Sequence, residues 1–415
     1  MFKGKINRIN INTALFGLLF FFYFYNWASC FLFLPLWLKS QVGLDKTHIG
    51  IVYSSFSLAA ICLQPFLGII TDKLGVKKNL VGILAICMIF FAPFFLHVYT
   101  PLLKSSLYTG IVVGAIYLSF IFHAGVGALE AFVEKVGRKT GFEYGHARLF
   151  GCFGSATCAT IAGQLYAFNP ESIFWIGSGC AVCLTIALWI ANTGGQESGE
   201  VAAPKATTPP KEKMSLWQLV RMRKFQMLAL YVTGVACIYE VFDQQFVNFF
   251  AGFFADQGSA TKAFGYITTA GNLGDAVIMF FIPALINKIG SKNALLIASG
   301  MMTIRIFGSA FAGSVEMVCA LKMLHNLEYP FLLIGIFKYI SDVFDVRLSA
   351  TIYLIGFQWI KQVGTIFFSV IAGRMYDIYG FHQAYLFLGT VVLLFTLISA
   401  VTLQGRKKTQ QLASA

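Results

Sequence analysis

The sequence predicts an all-α membrane protein, twelve transmembrane helices in two pseudosymmetric six-helix bundles, and three observations predict it. Of the 415 residues 57% are hydrophobic and 12% charged, where soluble domains carry about 25% charged residues. Apolar runs recur that are long enough to cross a hydrocarbon core of about 30 Å, which takes about 20 helical residues. A turn sequence that follows the second run returns after the eighth. The ten-residue alternation of a membrane barrel is not the prevailing pattern.

Taken in order, the runs are 11–38, 47–70, 79–98, 107–133, 146–168, 172–191, 224–251, 263–286, 294–312, 315–340, 349–373 and 381–403. The first, Leu15 to Leu38 at its most apolar, is too long for a removable signal and lacks a small-residue cleavage site, so it reads as helix 1. The longest polar interruption, Asn192 to Lys213, holds GGQESGE and ATTPPKEK with no apolar period. The expected organisation is therefore a six-helix bundle over 1–191, a cytoplasmic linker over 192–223 and a second bundle over 224–415. The turn repeat supports the division. GIITDKLG (68–75) follows helix 2 and PALINKIG (283–290) follows helix 8, with one spacing separating Asp72 from Asn287, Lys73 from Lys288 and Gly75 from Gly290. Duplicated halves are a mark of transporters.

The net charge of +13 could suggest nucleic acid, but the cations sit in loops on one side. Lys3, Lys5 and Arg8 open the chain, and clusters follow at Lys73 to Lys78, Lys135 to Lys139, Lys205 to Lys224 and Arg406 to Lys408. Lys39, Lys46, Lys104, Lys262 and Arg374 fall on the other side. This positive-inside bias places both termini in the cytoplasm. The nine cysteines all lie in apolar runs, the pattern of packing thiols. With no P-loop, HExxH or nucleophile elbow, neither ATP-driven transport nor intramembrane hydrolysis has a motif. No enzyme, cofactor or metal site is expected.

What remains is a set of ionisable residues inside the apolar runs, each costing about 3 kcal/mol at the bilayer centre unless partnered or hydrated. Helix 10 carries Lys322, His325 and Glu328, spaced three apart and so on one stripe. Glu130 near the end of helix 4 and Arg148 near the start of helix 5 can meet across a short turn at Lys139 to Gly141. Together they form either an ion pair at the membrane edge or a fork of donors and acceptors for a polar ligand. The carboxyl half adds Tyr239, Glu240 and Asp243 on helix 7, Asp275 on helix 8, Arg305 on helix 9 and Lys361 on helix 11. Four acids (Glu240, Asp243, Asp275, Glu328) face three fixed cations (Arg305, Lys322, Lys361), and His325 can stay neutral. One acid is left over, and burial favours its protonated form.

The runs FGLLFFFYF (16–24), APFFLHVYTPLL (92–103), EAFVEKVGRKTGFEYGHARLFGC (130–152), YEVFDQQF (239–246), KMLHNLEYPFLLIGIFKYI (322–340) and RLSATIYLIGFQWIKQ (347–362) resemble the lactose permease family. These are oligosaccharide/proton symporters of the major facilitator superfamily, and the resemblance covers nearly the whole chain. It implies alternating access around a midplane sugar site, with Glu130 and Arg148 holding sugar hydroxyls beside Cys152 and His325. It further implies that Glu240 pairs structurally with Lys361 and Asp243 with Lys322. Glu328 is then left to carry the proton, with Arg305 discharging it and Tyr239 and His325 in the same group.

Two departures bear on the sugar. Ser155 stands where the family has a ring-stacking Trp, and Asn272 where it has a helix-8 carboxylate, the acid appearing one turn later at Asp275. Sucrose permeases share both traits. Trp27 either supplies a replacement stacking face or packs against lipid or core. The expected function is proton-coupled import of a disaccharide, sucrose-type by these departures. Galactoside/proton symport and a sugar sensor that no longer transports are the alternatives. The expected partners are the sugar, the proton and the lipid bilayer, with no nucleic acid, and the chain is expected to work as a monomer.

Overall fold

The computed structural model describes residues 11–140, 142, 144–193, 216–344 and 348–405. Most of the linker expected over 192–223, and the basic residues at either end of the chain, lie outside them. Among the described residues the chain is helical without a strand. The passes are α1 (Ile11–Phe31), α2 (Lys46–Leu74), α3 (Asn79–Ile89 with Phe91–Ser105), α4 (Leu107–Thr140), α5 (Tyr144–Phe168) and α6 (Ser172–Ile190). They continue as α7 (Arg223–Gln244), α8 (Gln257–Ile289), α9 (Ser291–Ala310), α10 (Val315–Val343), α11 (Tyr353–Ile378) and α12 (Gly380–Thr402).

Nine of these are long and apolar enough to span a bilayer on their own, and counting each of two bent helices as one span raises the number to eleven. The bends, 53° in α3 and 56° in α8, share a cause. Pro93 and Pro283 each stand four residues after the last residue before the break, Ile89 and Met279, so that the ring meets the carbonyl of residue i−4. The remaining pass, α5, has 25 residues but mixes glycine, alanine and threonine with Arg148, which lowers its apolarity. α10 is one pass with a turn at Leu324 that divides Val315–Met323 from His325–Val343.

The repeated turns fold alike. Gly75 and Gly290 both take positive φ, 60° and 87°, at the end of α2 and α8. Each donates its N–H to the residue four back, Thr71 and Ile286, a helix stop at positive φ that favours glycine. A lysine from another helix caps each end: Lys135 of α4 donates to the Thr71 carbonyl, and Lys338 of α10 to the Pro283 carbonyl and the Asn287 side chain. The duplication read from the sequence is thus repeated in hydrogen bonding.

By contacts the chain forms two compact units. The first comprises Met1–Trp37, Ala59–Val201 and Asp256–Leu273, and the second Leu38–Leu58, Ala202–Ala255 and Gly274–Ala415. Within the first, α5 and the start of α8 approach so closely that a Cβ on Gly163 would stand 2.7 Å from the Thr261 carbonyl oxygen, and the hydroxyls of Thr160 and Thr269 meet at 2.8 Å. Within the second, α11 meets the start of α2. Asp377 accepts from the Thr47 amide and hydroxyl at 2.7 and 2.6 Å, capping α2 from a neighbouring helix. Also in the first unit, Leu67, Leu80, Leu84, Ala124 and Ala128 join α2, α3 and α4 in an apolar core.

Candidate functional site

The buried charges of the second unit gather around Arg305. Its guanidinium is fully buried on α9, which requires compensation. It finds a bidentate partner in Asp243 of α7, with Nη1 and Nη2 donating to Oδ1 and Oδ2 at 3.0 and 3.3 Å. Nη2 also lies 2.6 Å from Oε1 of Glu328. That approach is an ion pair inside the low-dielectric interior. Phe242 and Tyr239 flank the guanidinium carbon at 4.7 and 5.5 Å from their ring centroids, and a ring face favours a cation.

The helix-10 stripe turns toward the same cluster. Lys322 Nζ donates to Asp243 Oδ1 at 3.1 Å and lies over the Phe246 ring. His325 Nδ1 stands 3.4 Å from Asp243 Oδ2 and 3.9 Å from Glu328 Oε1, with the Tyr239 hydroxyl 3.1 Å away. Tyr239, His325 and Tyr329 hold their rings nearly parallel. Glu328, 2% exposed, borders a narrow recess lined by Val235, Tyr239, Ala298, Met302 and Leu332. No water-sized space opens beside the carboxyl there.

Glu240 and Lys361 pair separately, Oε2 to Nζ at 2.7 Å. Asp243 meets Lys322, as the resemblance implies, and it also takes Arg305. Asp275 joins no ion pair among the described residues, and its Oδ1 is buried without a hydrogen bond. The acid most in need of a partner, by geometry, is therefore Asp275.

In the first unit Arg148 donates through Nε to Glu130 Oε1 at 2.9 Å. Both side chains keep about a third of their surface open, 32% and 36%, so the pair is not sealed. The guanidinium carbon rests 4.1 Å from the centroid of Phe24 and 5.7 Å from that of Phe20. Cys152 and Ser155 follow Arg148 on one stripe of α5, since offsets of four and seven residues return to the same face. The Ser155 hydroxyl donates back to the Gly151 carbonyl at 3.1 Å and offers no ring face. Asn272 and Asp275 sit one turn apart on α8. The first is grouped with the first unit and the second with the second.

Sequence reasoning missed the aromatic floor under each cation, Phe20 and Phe24 beneath Arg148 and Phe242 and Phe246 beneath Arg305 and Lys322. It also missed Tyr329. In a chain that is 16% aromatic these rings carry no compositional signal. Their spacing does in part, since Phe20 and Phe24 stand four apart on one face of α1, whereas Phe246 lies beyond a turn at Gln245 that ends the helix of Phe242.

The sequence matches the LacY proton/sugar symporter family over residues 5–415. The chain belongs to that family. It is 51% identical over 410 residues to the melibiose permease of Enterobacter cloacae, covering 99% of this chain and 96% of that protein. It is also 51% identical to the raffinose permease of Escherichia coli over 397 residues, 95% and 93% of the two chains. A sucrose permease of Escherichia coli is 33% identical over 389 residues, 94% and 92%. Among solved structures, a variant of the nucleoside transporter NupG superposes with a TM-score of 0.80, covering 95% of this chain and all of that one. At 15% identity this likeness speaks to the fold alone, which is that of a major facilitator. As a member of the family the chain is a multi-pass membrane transporter and not an enzyme, and sugar and proton are its partners.

Proposed function

We propose that this chain imports a disaccharide across the bacterial inner membrane with a proton, by alternating access, as a monomer with both termini cytoplasmic and the surrounding lipid as its solvent. The two halves are taken as 1–191 and 224–415, joined by the linker at 192–223. The observation that carries the reading is the Arg305 cluster. Asp243, Asp275 and Glu328 face two fixed cations, Arg305 and Lys322, so the set balances when one carboxyl holds a proton. The family resemblance assigns that proton to Glu328, which is 2% exposed and has Arg305 2.6 Å away to hold it once the proton leaves, while Asp275, which joins no ion pair among the described residues, is kept for the sugar. Tyr239 and His325, within hydrogen-bond distance of each other, lie beside Glu328 as the relay. Glu240 and Lys361 neutralise one another and take no proton.

For the sugar, Glu130 and Arg148 present the open fork of acceptors and donors. Asp275, His325, Asn272, Cys152, Ser155 and Trp27 complete the group. Ser155 and the position of Asp275 favour a sucrose-type disaccharide. The 51% identity to melibiose and raffinose permeases favours a galactoside, and raffinose contains both linkages. Competition decides: sucrose displacing a bound reporter sugar better than melibiose supports the first reading, and the reverse order overturns it. Cells expressing the chain should accumulate the labelled disaccharide and turn their medium alkaline when it is added. Accumulation that survives a protonophore refutes proton coupling, and binding without accumulation points to a sensor.

A further inference from the structure

Trp27 has its place on a helix stripe. On α1, Phe20, Phe24, Trp27 and Phe31 recur at offsets of four, seven and eleven, which is one face. Phe20 and Phe24 on that face lie under Arg148, so it is the charged face. Leu18, exposed to 37%, points to the opposite side, where lipid belongs. Trp27 keeps 36% of its surface open on the side of a guanidinium and a carboxylate, and an aromatic there is not a lipid anchor.

A matching stripe runs along α4. His123, Gly127 and Glu130 share a face, while Ala124 and Ala128 turn the other way into the apolar core with α2 and α3. A Cβ on Gly127 would meet no atom within 4 Å, so the stripe is open between its two polar ends. The two stripes join at Phe31. Its ring centroid is 5.0 Å from that of Trp27 and 5.0 Å from that of His123. A six-residue π-helical stretch, Ser119–Ala124, includes His123, and Gln64 donates to its carbonyl at 3.1 Å. His123 and Glu130 are seven residues apart, which on a helix is about 10 Å. That is the length of two linked hexose rings.

We infer that Trp27 and His123, with Phe31 behind them, form the subsite for the second ring of the sugar. The inference rests on the disaccharide reading above. One ring is held by the Glu130–Arg148 fork, and the apolar face of the other stacks on the Trp27 indole. The His123 imidazole exchanges a hydrogen bond with a hydroxyl of that second ring. The stacking face that Ser155 cannot supply is thereby moved from α5 to α1 and from the first ring to the second.

The test uses the purified full-length chain in detergent, with binding of melibiose, sucrose and raffinose measured beside galactose, glucose and fructose. Trp27→Leu and, separately, His123→Phe should each weaken the preferred disaccharide about tenfold and lower the ratio of disaccharide to monosaccharide affinity to match. Trp27→Phe should restore most of the loss. An unchanged ratio, whether because both affinities fall together or because neither moves, overturns the subsite. If Trp27→Leu does not fold, Trp27→Phe and His123→Asn read the same ratio. Uptake is measured alongside. A wild type that binds disaccharides without accumulating them refutes the symport reading and leaves the subsite standing. A wild type that binds none of the panel refutes both.

Discussion

Replacing Lys361 by alanine strands the Glu240 carboxylate, and the size of the effect follows from the geometry. Two unit charges 2.7 Å apart attract by about 6 kcal/mol at an effective dielectric constant of 20. Desolvation of both groups offsets much of that, which is why such pairs add little net stability. Removing one partner is different, because the other keeps its desolvation cost and loses its compensation, at about 3 to 5 kcal/mol. The side chains keep 22% and 30% of their surface exposed, so water softens the penalty and the low end, about 3 kcal/mol, applies. Lys361→Ala should then cut sugar accumulation about a hundredfold. Glu240→Ala with Lys361→Ala removes both charges and should recover most of the activity. Initial uptake rates and steady-state accumulation of labelled disaccharide measure it, with membrane protein level and thermal unfolding as controls. A double variant no better than the single, or a harmless single, would refute the pairing as the reason these residues are charged.

The other predictions are shorter. Glu328→Gln, a permanent mimic of the protonated acid, should abolish uphill accumulation while counterflow of sugar continues; undiminished accumulation in that variant removes Glu328 as the proton carrier. Arg148→Lys keeps the charge but loses the fork, and at about 1.5 to 3 kcal/mol per charged hydrogen bond sugar binding should weaken ten- to a hundredfold, as direct binding would show. Gly290→Ala puts a Cβ on a residue with φ of 87° and ψ of 151°, at a cost of about 1 to 3 kcal/mol. Its thermal midpoint should fall, whereas an unchanged midpoint would mean that the α8 turn relaxes freely.

The fold was legible because the bilayer makes hydropathy decisive and because the duplicated turn is short and regular. Gly75 and Gly290 announce a helix stop in the sequence, and both adopt it. The helix-10 charges were legible for the same reason, since an ionisable group in an apolar run needs a partner and the partners are few. The resemblance implied the pairs Glu240–Lys361 and Asp243–Lys322, and both are present. The sharing was not legible: Arg305 takes both Asp243 and Glu328, and Asp275 joins no ion pair among the described residues. A charge count cannot foresee this, because a guanidinium serves two carboxylates from different edges of its plane. The face of Trp27 was not legible alone either, because α1 is apolar all round and its period carries little contrast. Only Arg148, anchored on another helix and lying over Phe20 and Phe24, shows which side of α1 is polar. In a membrane helix, then, the orientation of an aromatic is read from the charges of its neighbours, and for Trp27 these are Arg148, over Phe20 and Phe24 of the same stripe, and His123, which shares Phe31 with it.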